Sequence, residues 1–494
     1  MLKQELKSQI NKLWDKFWSG GISNPLTAIE QMSYLIFMKR IEDLDNRNKS
    51  LAQARGEKYE SVFEDYLECR WSHWKNFNSE DMLRHVRDSV FPFIKKIKKG
   101  DDTLFAESMK DAVFLIPKAS LLQEAVSIID SINLSAQNQD VQGDIYEYLL
   151  NELKTSGKNG QFRTPRHMIR MIIGLVNPKL GEKIADCAVG TAGFLINTYE
   201  YILKENTSKD LITYDEEGIA HNLIGDKIGS DKKKWNFLRR ETFTGFDNDL
   251  TMVRLALMNM ILHGIEHPNI KYADGLSKRF EQKEEFDVIL ANPPFTGSID
   301  EGDINDKFKV KTTKTELLFL ELFYNMLHKG GRAGIVVPSG VLFGGSRAHV
   351  DVRKILLDKC QLEAVISLPS GVFQPYSGVG TAVLVFTKGG NTDKVWFYEM
   401  KSDGFTLDQK REFIDGKGDI PDILEKFKSK KEGPNSFNVD IRTIKENEYS
   451  LDINRYKKFE HKDVKYEKPT KLIDEILKEE EGIVKELNEL KRRL

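Results

Sequence analysis

Phe286-Asp-Val-Ile-Leu-Ala-Asn-Pro-Pro-Phe295 is an apolar run that enters two rigid prolines, led by an amide and followed by an aromatic ring. The apolar part reads as a sheet strand, and the four residues after it read as a loop built for chemistry at the strand's carboxyl end. The Asn292 side-chain oxygen and the Pro293 carbonyl can accept hydrogen bonds from the two N–H groups of a planar, poorly nucleophilic nitrogen, freeing its lone pair to attack. Pro294 fixes the backbone that carries that carbonyl, and Phe295 offers a face on which an extruded base can stack. Such a loop favours the pyramidal nitrogen of a transition state over the flat ground state. The same residues would also serve to end an edge strand in a tight turn, with Phe295 plugging the core. The flanking sequence has to decide between the two.

Around this run, short apolar stretches alternate with helical patterns: Lys183-Ile-Ala-Asp186, Thr242-Phe-Thr-Gly-Phe246, Arg332-Ala-Gly-Ile-Val-Val337, Leu362-Glu-Ala-Val-Ile-Ser-Leu368 and Thr381-Ala-Val-Leu-Val-Phe-Thr387. That alternation predicts a doubly wound, mostly parallel α/β sheet. The link from Pro369 to Gly378 is too short for a crossover helix, so one edge strand is expected to be antiparallel, giving a seven-stranded sheet with one strand reversed. The first ~135 residues have helical periodicity instead. Their clearest helix starts at Asn24-Pro25, with Asn24 able to cap it, Pro25 at its first position, and Ile29, Met32, Ile36 and Phe37 on one side. A further helix is expected over Asp140 to Lys154. Past about residue 400 the chain is rich in Lys, Glu and Asp, with 416–419 and 428–433 as linkers. The predicted organisation is an α-helical domain over 1–138, a catalytic α/β domain over 139–400 and a helical extension over 401–494.

The 494 residues carry 74 Lys+Arg against 76 Asp+Glu, a formal net charge of −2. A chain of this length is expected to form two or three domains. It is not basic, so any contact with nucleic acid has to come from a local patch or a partner. Cys69, Cys187 and Cys360 are odd in number and widely spaced, which argues against a disulfide framework or a metal site and fits a reducing compartment. The amino terminus lacks a basic segment followed by an apolar run, and no stretch approaches the ~18 apolar residues of a membrane span, so a cytoplasmic protein is expected.

Asp186-Cys-Ala-Val-Gly190-Thr-Ala-Gly193 lies between a short strand and a helix-like run, where glycines let a cofactor approach the backbone. The first glycine of the dinucleotide fingerprint is replaced by Ala188, and a tight turn packed under the sheet would use the same residues. The next strand-like run ends at Asp247, a carboxylate placed to take the two hydroxyls of a ribose. Asp247 lies far beyond the ~20-residue spacing of a simple dinucleotide unit, so residues near 201–240 form an insertion. That insertion contains Lys232-Lys-Lys-Trp235-Asn-Phe-Leu-Arg-Arg240, which reads as a solvated helix face or as a DNA-backbone contact. Upstream, Gly160-Gln-Phe-Arg-Thr164-Pro165-Arg166 leads into a helix over 165–176, with Thr164 as its natural cap. The exposed amides of such a terminus can hold a carboxylate.

In this order, the segments Gln161-Phe-Arg-Thr-Pro-Arg166, Asp186 to Gly193, Phe246-Asp247 and Asn292-Pro-Pro-Phe295 resemble the gamma-class N6-adenine amino-methyltransferases. The long helical amino terminus and Thr191-Ala-Gly-Phe-Leu195 resemble the modification subunits of type I restriction–modification systems within that class. The resemblance covers roughly residues 1 to 390. It implies a methyltransferase fold that binds S-adenosylmethionine through Gln161, Phe162, Arg163, Thr164, Pro165 and Arg166, through Asp186 and Gly190, Thr191, Ala192 and Gly193, and through Asp247. Asp274 matches the position that approaches the cofactor or the target adenine, and Asn292, Pro293, Pro294 and Phe295 match the catalytic loop. Cys187 stands where a proline usually follows the aspartate. The implied partners are double-stranded DNA with a flipped adenine, a DNA specificity subunit and a second copy of the modification subunit, with a restriction nuclease/translocase subunit left open. Methyl transfer to guanine of ribosomal RNA or to a release-factor glutamine shares the loop but usually lacks the Gln-Phe-x-Thr-Pro-Arg segment and the large helical domain. A non-catalytic scaffold, or a nicotinamide-dependent oxidoreductase, would leave the intact loop without a task.

In the tail, Ile473, Ile476, Ile483, Leu487, Leu490 and Leu494 follow alternating three- and four-residue steps interrupted only by Glu480, a narrow seam suited to a partner helix or to folding back on the chain itself.

Overall fold

The computed structural model describes residues 4–56, 58–97, 104–132, 148, 164–215, 218–265, 267–375, 377–457 and 469–493. Apart from Tyr148, the expected helix over Asp140 to Lys154 lies outside the described residues, as do Gln161, Phe162 and Arg163.

The amino-terminal part is helical, with its longest helix at Pro25–Arg55. Asn24 accepts from the Thr27 amide at 3.2 Å, Pro25 takes the first turn, and Gly56 closes the far end in the left-handed region at φ +66°. Ile29, Met32, Ile36 and Phe37 are buried, as the periodicity requires. This helix is tied to the helix Leu250–Leu262 by an ion pair in which Arg254 Nη1 lies 2.8 Å from Glu30 Oε1. Arg254 Nε also donates to the Ser108 carbonyl at 2.9 Å, and Tyr34 donates to the same Glu30 oxygen at 2.7 Å. Breaking such a buried, hydrogen-bonded pair from one side typically costs about 3–5 kcal/mol.

The central sheet contains β1 (Ile184–Asp186), β2 (Phe243–Asp247), β3 (Asn269–Tyr272), β4 (Phe286–Ala291), β5 (Leu327–Pro338), β6 (Cys360–Leu368), β7 (Thr381–Lys388), β8 (Lys394–Glu399) and β9 (Ser436–Asp440). Their spatial order is β3-β2-β1-β4-β5-β7-β6-β8-β9. Val288, Ile289 and Leu290 of β4 are fully buried, as in a parallel sheet covered on both faces.

Two expectations change. The reversed strand is interior: β7 pairs antiparallel with β5 on one side, from Arg332↔Thr387 to Pro338↔Thr381, and with β6 on the other. The short link after β6 forces β7 back alongside it, and the free side of β7 then serves β5. The sheet also has nine strands, not seven, because β8 joins β6 in parallel and β9 joins β8 antiparallel. The chain past residue 400 is therefore not purely helical. It forms a two-stranded pair, Asp403–Phe405 with Phe413–Gly418, and then β9. The expected linker at 416–419 is the end of that pair and the cap of the helix Ile420–Phe427. Met1–Ile453 forms one compact unit. Asn454–Leu494 forms a second, whose described residues are 454–457 and the helix Pro469–Arg493. No helix among the described residues is long and apolar enough to cross a membrane.

Candidate active site

The carboxyl ends of β1, β2, β3 and β4 meet at one cleft, where the topology of an open α/β sheet favours ligand binding. Gly190, Asp247, Asp274, Asn292 and Pro294 line it. Asp186, Thr191, Ala192, Gly193, Pro293, Phe295, Thr164, Pro165 and Arg166 are not among its lining residues.

The turn after β1 is fixed by its own backbone and by its neighbours. Gly190 has φ +51° and Ala192 has φ +65°, and the Ala192 amide donates to the Val189 carbonyl at 2.8 Å. A non-glycine residue in this region stores about 1–2 kcal/mol. Support comes from Asn259, fully buried in the helix after β2, whose Nδ2 donates to the Thr191 carbonyl at 2.8 Å. Above Gly190 there is open space where a side chain would stand, so the backbone itself faces the cleft.

Asp247 ends β2. Its Oδ2 accepts from the Gly190 amide at 2.9 Å and its Oδ1 from the Asp249 amide at 2.9 Å. Burial pushes its carboxyl above the usual range, opposed by these amides. Asp186 sits deeper, 2% exposed, with Oδ1 accepting from the Ala188 amide at 3.0 Å. Burial raises its pKa to about 8, with the neighbouring Asp247 adding to the rise. Its carboxyl thus braces the turn from below. Asp274 follows β3 and accepts from the Leu276 amide at 3.0 Å.

Asn292 follows β4. Its Nδ2 donates to Thr164 Oγ1 at 2.9 Å, while its Oδ1 is buried without a hydrogen-bond partner. The expected capping role of Thr164 does not hold: the helix runs over Arg166–Val176, Pro165 stands at its cap, and no side chain caps it. Pro165 itself is extended, at ψ 139°, so the helix starts one residue later than expected, and the Thr164 hydroxyl meets Asn292 instead. Phe295 is also not the open face the sequence suggested. It is 5% exposed and meets Phe373 edge-on, with ring centroids 5.4 Å apart. Phe373 belongs to the link between β6 and β7, which the reversed strand brings to this edge.

Sequence reasoning missed Thr315 and Phe319, which line the cleft from the helix Thr315–Met326, and the Thr315 hydroxyl is another buried polar group without a partner. It also missed Asn259, although one amide inside the apolar run from Met252 to Leu262 was a visible signal. In the insertion, Lys232–Arg240 is a helix. Trp235 donates to the Gly229 carbonyl at 3.0 Å and lies under Arg239, while Lys232, Lys233 and Lys234 are exposed.

An S-adenosylmethionine molecule would fit this donor set. The Asp247 carboxylate at the end of β2, an open glycine backbone and a cleft reaching to the Asn292 amide are all present in one place.

Residues 137–465 match the family N-6 DNA Methylase, and residues 6–129 match HsdM N-terminal domain. The chain is 30% identical to the EcoEI type I restriction enzyme methylase subunit of Escherichia coli, covering 88% of this chain and 86% of that protein. It is 28% identical to the EcoKI methylase subunit of E. coli strain K12, covering 98% and 90%. Among solved structures, a chain from a study of complex assembly and conformational transition in a type I R-M system aligns with TM-score 0.69 at 26% identity, covering 99% of this chain and 98% of that one. A modification subunit of a putative type I restriction enzyme from Vibrio vulnificus YJ016 shares the fold, with TM-score 0.71 at 22% identity over 89% and 93%.

Proposed function

The chain belongs to the N-6 DNA Methylase family, and from that premise we propose how its cleft performs the transfer. The reaction is methylation of the N6 amino group of adenine in DNA, by the modification subunit of a type I restriction–modification system. Readings as an RNA-guanine or glutamine methyltransferase, a scaffold or an oxidoreductase fall away. The family implies S-adenosylmethionine, which when bound supplies an electrophilic methyl group.

In the proposed arrangement, Asp247 accepts from the two ribose hydroxyls, and the backbone from Gly190 to Gly193 borders the cofactor. The backbone of the segment Gln161 to Arg166 approaches its carboxylate. Asp274 approaches the cofactor or the target base, and Asp186 acts on the cofactor from beneath the turn. The unpartnered Asn292 Oδ1 and the Pro293 carbonyl accept from the N6 amine, drawing its lone pair out of the ring system and toward the methyl carbon. Pro294 holds the loop and Phe295 stacks on the flipped base. The buried, unpartnered Asn292 oxygen is the observation that carries this reading, because an acceptor left unsatisfied costs about 1–3 kcal/mol unless a ligand completes it.

The chain works within a restriction–modification complex acting on DNA. We further propose that a DNA specificity subunit reads the site, that two modification subunits flank it, and that the helix Pro469–Arg493 docks on the specificity subunit. Ile473, Ile476, Ile483, Leu487 and Leu490 of that helix are all more than half exposed. Leu494 lies outside the described residues. A restriction nuclease/translocase subunit would join the same assembly. The proposed domain division is the helical part over 1–138, the methyltransferase over 139–400 and an assembly region over 401–494.

The test is transfer of labelled methyl from S-adenosylmethionine to duplex DNA by the reconstituted complex, followed by nucleoside analysis. Label in N6-methyladenine, lost in Asn292→Ala, is expected. Wild-type incorporation by that variant would overturn the site.

A further inference from the structure

The Asn292 carboxamide is useful to an amine only if it presents its oxygen, and an amide left free can rotate to present its NH2 group instead. In this structure one end is engaged: Nδ2 donates to Thr164 Oγ1 at 2.9 Å, and Thr164 is 8% exposed. The other end, Oδ1, is buried and unpartnered. The hydroxyl therefore meets the amide end that a target amine does not need.

Thr164 is itself anchored from the far side. His167 lies at the start of the helix Arg166–Val176. Its Nε2 is 2.8 Å from Asp403 Oδ2, and its ring stacks on Phe405 with centroids 4.3 Å apart at 21°. The Asp403 carboxylate is fully buried and also takes Arg411. The strand pair Asp403–Phe405 with Phe413–Gly418 thus grips the helix that Thr164 leads into, so the hydroxyl cannot drift with the loop it holds.

We propose, resting on the assignment of Asn292 as the catalytic amide, that Thr164 is a positioning residue. Its hydroxyl fixes the Asn292 carboxamide with the oxygen toward the target amine, and the His167–Asp403 contact keeps that hydroxyl in place. The Thr164 hydroxyl then acts on the chemical step, while the backbone of its segment stays available to the cofactor. No atom of the reaction passes through it.

The experiment uses the full chain assembled with its partner subunits and compares Thr164→Val, Thr164→Ser, Asp403→Asn and Asn292→Ala. Measured for each are single-turnover methylation rate and S-adenosylmethionine dissociation constant. Thr164→Val preserves shape but removes the acceptor, and is expected to slow transfer about tenfold to a hundredfold while the dissociation constant stays within about twofold. Thr164→Ser should restore the rate, and Asp403→Asn should slow it less than Thr164→Val. An inactive Asn292→Ala beside a Thr164→Val at the wild-type rate would overturn the positioning role. So would a Thr164→Val that weakens cofactor binding without slowing transfer, which would make Thr164 a cofactor contact only. An Asn292→Ala that still turns over normally would instead remove the assignment on which the proposal rests.

Discussion

The Gly190 amide donates to Oδ2 of Asp247 at 2.9 Å, so the turn after β1 and the carboxylate ending β2 are one hydrogen-bonded unit. Removing Asp247 therefore does two things: it deletes the proposed ribose acceptor and releases the turn. Hydrogen bonds to a charged group contribute about 1.5–3 kcal/mol each. Asp247→Ala is expected to weaken S-adenosylmethionine binding by at least about tenfold in titration calorimetry, and Asp247→Asn, which keeps one acceptor oxygen, by less. An unchanged affinity would place the ribose elsewhere.

Asn292→Ala should abolish methyl transfer and leave cofactor affinity largely intact, because in the proposed site the amide acts on the target nitrogen and not on the cofactor. Loss of one preorganised polar contact at a reacting atom lowers rates ~10²–10³-fold. Substantial residual turnover in a single-turnover assay would count against the assignment.

Phe295 is covered by Phe373 in this structure, so a base can stack on it only after the two rings part. With 2-aminopurine at the target position, the assembled complex should give a fluorescence rise on binding, and Phe295→Ala a smaller one. Complete absence of a rise in the wild type would point away from base extrusion.

Asp186 makes stability depend on pH. Its folded pKa of about 8 lies above the ordinary 3.8. Its contribution to stability is therefore complete below about pH 4, and is lost as pH rises toward 8 and the unfolded chain holds fewer protons than the folded one. Asp186→Asn does not titrate, so its stability relative to wild type should climb with pH by at most about 1.4 kcal/mol per unit and level off above 8. Urea unfolding of the cofactor-free chain at several pH values measures this. A pH-independent difference would mean the carboxyl is not held neutral.

Deleting 471–494 should leave cofactor binding intact while abolishing co-purification with the specificity subunit and site-specific methylation. The seam residues are exposed, and a narrow apolar seam suits a partner helix. A truncated chain that still assembles and methylates its site would refute the docking role.

Strands β1, β2, β4 and β6 were legible because each is a short apolar run closed by polar or turn-forming residues, and the Asn24-Pro25 start announced its helix. The cleft was legible where one residue type has one task at a strand end, as at Asp247 and Asn292. What escaped was tertiary. β9 carries a mixed texture, and pairing alone makes Ser436–Asp440 a strand. The interior position of β7 follows from which neighbour its free side meets, a choice that alternation of polarity does not encode. Thr164 looked like a cap because local sequence rewards that reading, and only the approach of β4 gives its hydroxyl a better partner. Phe295 looked open because nothing near it in sequence reveals Phe373.

The backward run of β7 also divides labour across the sheet. A parallel strand there would have needed a crossover helix; the reversal leaves a hairpin tip at the same rim as Asn292. Such tips tolerate changes of length and composition that a packed strand does not. In the proposed site the wing formed by β1, β2 and β3 would serve the methyl donor and the wing formed by β5, β7 and β6 the acceptor, with Asn292 at the seam. Drift on the acceptor wing can thus retune how the target base is held while the donor's lodging stays as it is.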